Sequence, residues 1–191
     1  MEKISYRQAT DLLSKRTVCI DPRKLVLEHN VVVAEKWLES TNETVERHKK
    51  MYKPDHKKSI EGVEMQLLAS NALSESQKAL AEYEADGVVL VELGFVTEEQ
   101  LVEYDVGKHR IVMDRPTVDQ DIVSRQLDRS LVLAALRGHT GIEIETGEGV
   151  VCEVEYSPDC IDLYYRFGWL PSLAWKVRAI NNLSGEKKSK S

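Results

Sequence analysis

IEIETGEGVVCEVEY, residues 142–156, decides the fold. Ile142, Ile144, Cys152, Val154 and Tyr156 alternate with Glu143, Glu145, Glu153 and Glu155, and Gly147-Glu148-Gly149 lies between the halves. A period of two on either side of a glycine turn marks an antiparallel β-hairpin with one apolar and one carboxylate-lined face. Most of the remaining chain repeats with a helical period. The expected class is therefore α+β, predominantly helical, with this antiparallel hairpin towards the C-terminus. Two further short strands are expected from Thr17–Ile20, Val88–Leu93 and His109–Met113, although runs this short also suit a buried helix.

Outward from the hairpin, Ser157-Pro158-Asp159 breaks the chain, and Cys160 to Ile180 reads as helix interrupted at Pro171. Residues 184–191, SGEKKSKS, read as a disordered basic tail, leaving 1–183 as a single globular domain. Towards the N-terminus, Ser5 with Gln8 forms a capping box before a short helix to Lys15. Asp21-Pro22 starts a helix to about Glu39, because the carboxylate accepts orphan amides and proline at the first helical position loses no bond. Ser40 to Glu43 repeats the box and opens a polar helix to Met51, which Pro54 stops. A long helix is expected from Lys57 to Asp86, with a restart signal at Ser74 and Gly87 just past its end. Thr97 with Gln100 makes a box that Val96 and Leu101 staple, starting a short helix to Tyr104. Thr117 with Gln120 opens a helix to about Arg137 that Gly138 ends.

The chain has 191 residues, 42% apolar and 30% charged, with net charge −6. That is enough apolar content for a core, and it excludes a wholly disordered chain. No run approaches the roughly 18–20 apolar residues of a membrane span. The first residues lack the apolar core of a secretory signal, and three cysteines are too few for a disulfide framework, so a reducing, cytoplasmic setting is expected. Charge falls in blocks. Residues 1–60 carry 13 basic and 9 acidic side chains, residues 61–105 carry 1 and 11, and residues 141–162 carry 7 acids and no base. Such blocks either polarise the surface or neutralise one another within the fold.

No metal-ligand spacing, phosphate loop or dinucleotide fingerprint occurs, so neither metal nor cofactor is expected. The first candidate site is the carboxylate face, Glu143, Glu145, Glu153 and Glu155, which is either solvated or meets a basic protein partner. The second is the aromatic group Tyr164, Tyr165, Phe167, Trp169 and Trp175. It has hot-spot composition beside Arg166, Lys176 and Arg178, and helical spacing that equally suits a core. The third is the basic segment Arg47, Lys49, Lys50, Tyr52, Lys57 and Lys58, which could contact phosphates while Tyr52 stacks on a base. LVELGFVTEEQLVEY, residues 90–104, resembles a helical module in the N-terminal domains of secretion and pilus-assembly ATPases; no ATPase motif follows these 15 residues. Read as helix-turn-helix, the same stretch would press Glu98, Glu99 and Glu103 against phosphates, which argues against DNA reading.

The expected function is a small non-enzymatic interaction protein, an accessory, regulatory or assembly subunit of the kind common in phages, acting through protein contacts. A homo-oligomer is compatible with that reading. Nucleic-acid association through residues 47–58 is the alternative, and a hydrolase using a cysteine or carboxylates the second.

Overall fold

The computed structural model describes residues 17–85, 87–113, 118–145 and 151–182. The first helix, the cap at Thr117, the turn at 147–149 and the basic tail fall outside them. Two compact units are present: residues 1–22 with 86–191, and residues 23–85.

The first unit is built on a three-stranded antiparallel sheet, β1 (Thr17–Ile20), β2 (Leu90–Gly94) and β3 (Leu136–Thr140), with β2 in the middle. Thr17 pairs with Gly94 and Ile20 with Val91; Leu90 pairs with Thr140 and Val91 with His139. A bulge between Glu92 and Leu93 shifts the second register, so that Leu93 faces Leu136. Val91 and Leu93 are fully buried, as the alternation of β2 requires of its core face. Helices α3 (Glu98–Met113), α4 (Val118–Ala135) and α6 (Leu170–Asn182) cover the core, with α4 packed against both of the others. Leu131, Val132, Leu173, Ala174 and Val177 supply their buried side chains. A polar joint fastens α3 to α4: Tyr104 Oη donates to Asp128 (2.8 Å), which Lys108 Nζ also meets at 2.9 Å. Asn181 ties the end of α6 to the strand exit, accepting from the Val96 amide (3.3 Å).

Several expectations hold and several do not. The chain is predominantly helical with small antiparallel sheets. The Thr97–Gln100 box is formed in both directions, at 3.0 and 3.3 Å. Its helix, however, runs on to Met113, so His109–Met113 is helix rather than strand. The ribbon β4 (Glu143–Glu145) and β5 (Val151–Glu153) exists, but it is not the C-terminal element. The turn Pro158–Cys160, α5 (Ile161–Arg166) and α6 follow it, and the main sheet draws its strands from earlier in the chain. The break in the aromatic segment falls at Phe167–Trp169; Pro171 sits inside the first turn of α6, where its missing N–H removes no helical bond. Leu90–Gly94 is a strand, which removes the first helix of any helix-turn-helix.

The second unit is a helical hairpin, α1 (Pro22–Met51) and α2 (Lys57–Ala81), turning at Tyr52–His56. Proline opens α1 as expected. The box at Ser40–Glu43 does not divide α1. Thr41 Oγ1 donates to the Trp37 carbonyl, and Thr44 Oγ1 to that of Ser40 (3.0 Å), so the hydroxyls back-bond one turn earlier and the helix continues. Helix α2 likewise runs through Ser74 and stops at Ala81, short of Gly87. Near the turn the helices meet closely. A Cβ on Gly62 would lie 3.3 Å from His48 Nδ1 and 3.4 Å from Val45, and Gln66 Nε2 donates to Asn42 (2.6 Å). Beyond Leu25 near the start of α1, the buried positions are small: Ala34, Thr41, Val45, Gly62 and Ala69.

Candidate functional site

Glycine creates the cleft where the acidic ribbon and the aromatic group meet. Gly141 follows β3 with φ +70°, and a Cβ there would fall 1.7 Å from the Val88 carbonyl oxygen. Only glycine lets the chain cross Val88 and Val89 so closely before turning through buried Ile142 into Glu143. Opposite, α5 ends in a Schellman cap. The Trp169 amide donates to the Tyr164 carbonyl (2.9 Å), the Gly168 amide to that of Tyr165 (3.0 Å), and Gly168 has φ +72°. The cap holds the Phe167 and Trp169 rings 4.7 Å apart. Between these two features lies an open cleft of about 430 Å³, lined by Val88, Val89, Ile142, Glu143, Phe167 and Trp169.

Its support is a buried histidine. His139 Nε2 lies 2.8 Å from the Val154 carbonyl, an acceptor only, so this nitrogen carries the proton. Nδ1 then accepts from the Tyr164 hydroxyl at 2.5 Å. Burial, with a smaller contribution from Cys160 and Tyr156, raises the Tyr164 phenol well above its ordinary pKa and keeps it a donor. His139 thus joins the sheet, the chain after β5 and α5, and Tyr164 backs Trp169 at 6.0 Å. Both its nitrogens are occupied, so it is not poised as a base for a thiol. Cys160 is buried with its Sγ 3.4 Å from the Glu155 carbonyl, while Cys19 and Cys152 are exposed.

The expected site residues separate. In the ribbon, Glu143 pairs directly with Glu153, and Ile144 with Cys152. The acidic face therefore exists, yet Ile144 is 39% exposed and Cys152 is exposed too, so within the ribbon the apolar face is open and only Ile142, just before it, lies in the core. Glu145 and Glu155 are exposed, and Glu153 accepts from the Gly141 amide (3.3 Å). Of the aromatics, Tyr164 is core, Phe167 and Trp169 line the cleft, and Trp175 is half-buried on α6. Tyr165 lies elsewhere, accepting from Arg125 (2.9 Å) in a groove of about 310 Å³. The basic residues gather at the turn of the helical hairpin. There Tyr52 stacks on His56 at 4.4 Å under the Lys58 ammonium, and Lys49 and Lys57 pair with Glu46 and Glu61. The ring expected to stack on a base is engaged within the chain. Val88 and Val89, expected to open a strand over Val88–Leu93, instead precede β2 and line the cleft; a glycine straight after a strand would have signalled Gly141, had β3 been recognised.

Among the described residues no three His, Cys, Asp or Glu side chains converge as metal ligands, and no helix is long and apolar enough to cross a membrane. The chain matches no protein-family model, no curated protein and no solved structure.

Proposed function

We propose that the protein is a non-enzymatic interaction protein that takes a basic segment of a protein partner into the cleft beside the ribbon. The observation that carries this reading is the convergence of Glu143 with the Phe167–Trp169 ring pair in one open cleft. Aromatic faces attract a guanidinium or ammonium group, and a nearby carboxylate completes its neutralisation. The exposed carboxylates of Glu145 and Glu155 extend the negative field along the ribbon and steer a cationic chain towards it.

Calorimetric titration with arginine- and lysine-rich peptides, against neutral and acidic peptides of equal length, tests the reading. Only the basic peptides bind, more weakly as salt rises. F167A, which removes a face worth about 1 kcal/mol, and E143Q each lower affinity several-fold. Basic-peptide affinity indifferent to both substitutions sinks the proposal.

A further inference from the structure

The hairpin of residues 23–85 is built inside out for an isolated helix pair. Apart from Leu25 near the start of α1, its buried positions are alanine, threonine, valine and glycine, whereas many of its large apolar side chains face outward. Trp37 is 38% exposed, Val33 53%, Met65 45% and Leu68 56%. The small side chains bring the helices close without supplying much buried area. At 100° per residue, and with Val45 against Gly62 and Asn42 against Gln66, these four fall on one face of the hairpin. Leu67, 62% exposed, falls on the opposite face.

We infer that this face binds the same face of a second copy of this chain, forming an antiparallel four-helix dimer. Two observations select that occupant. The first is area. Helices of 30 and 25 residues side by side present roughly 40 Å by 20 Å, about 800 Å² per partner, the standard size of a stable interface. The second is charge. Residues 47–58 at the turn carry six basic side chains and one acidic, while the rest of the hairpin carries four basic and ten acidic. Antiparallel stacking lays each basic turn over the partner's acidic stem; parallel stacking opposes like charges. A two-fold arrangement uses the same patch on both chains and closes at two.

Sedimentation velocity on the full chain tests this, with nuclease treatment and with circular dichroism as the check on helix content. The wild type is a dimer. W37E and L68E each raise the dimer dissociation constant at least about 30-fold, as loss of a central anchor does. L67E on the opposite face leaves it unchanged. K57E/K58E, two exposed substitutions on the side of Met65 and Leu68 that leave the apolar residues intact, weakens the dimer too. A monomer at every concentration overturns the inference, as does a dimer broken by L67E and spared by L68E. Mass lost on nuclease treatment also overturns it, pointing instead to nucleic acid on the basic turn. Indifference to K57E/K58E overturns the antiparallel arrangement.

Discussion

Gly141 and Gly168 show how differently two left-handed glycines constrain a fold. Both have φ near +70°, so any side chain at either incurs the backbone cost of about 1–2 kcal/mol. At Gly168 a Cβ would meet nothing within 4 Å, whereas at Gly141 it would strike the Val88 carbonyl at 1.7 Å. Gly168→Ala therefore costs only that backbone term, while Gly141→Ala adds a clash that displaces the segment leading into β2 and reaches about 3 kcal/mol or more. Urea unfolding of the two variants checks the ranking; equal losses would show that the crossing at Val88 is not tight. The cleft depends on the same crossing, so Gly141→Ala also weakens peptide binding, and Gly168→Ala does so less.

Helices and strands are held together by phenols that stay protonated. Tyr104 at the α3–α4 joint is raised by burial and by the Asp128 carboxylate, and Tyr164 behind the cleft by burial. In the unfolded chain both ionise near pH 10. The folded state keeps its protons longer, so stability is undiminished below about pH 9 and falls as pH rises above about 10. Urea midpoints between pH 8 and 11 follow that decline, and it flattens in the Y104F/Y164F double variant. A midpoint that held steady in the wild type would contradict the buried hydroxyls. Which elements were legible follows from similar local physics. The box at Thr97 forms because nothing competes for its hydroxyl, whereas Thr41 has a helical carbonyl within reach and caps nothing. The ribbon was legible from its period of two. Strand β3, LRGHT, has no such period and becomes a strand only by pairing with β2 across a bulge. The cleft was half legible: Glu143, Phe167 and Trp169 stand out by type, but their meeting depends on Gly141 and β3.

Across the whole molecule, the helical hairpin is an insertion between two neighbouring strands. Ile20 and Val91 are register partners, yet residues 21–90 intervene. Closing a flexible loop of that length costs about 2 kcal/mol more than closing a turn of eight residues. An antiparallel hairpin that folds first removes most of that entropy, since it returns the chain to where it left. The order of folding expected from this topology is local helices first, long-range strand pairing second. Ala69→Glu, at a fully buried hairpin position, should slow appearance of the sheet about tenfold in stopped-flow refolding. An unchanged rate would mean that β1 finds β2 without the hairpin's help. During synthesis the same order applies, because β1 must wait for the whole insertion before its partner strand exists. The helical hairpin is in this sense the device that keeps the two halves of a split sheet within reach of each other.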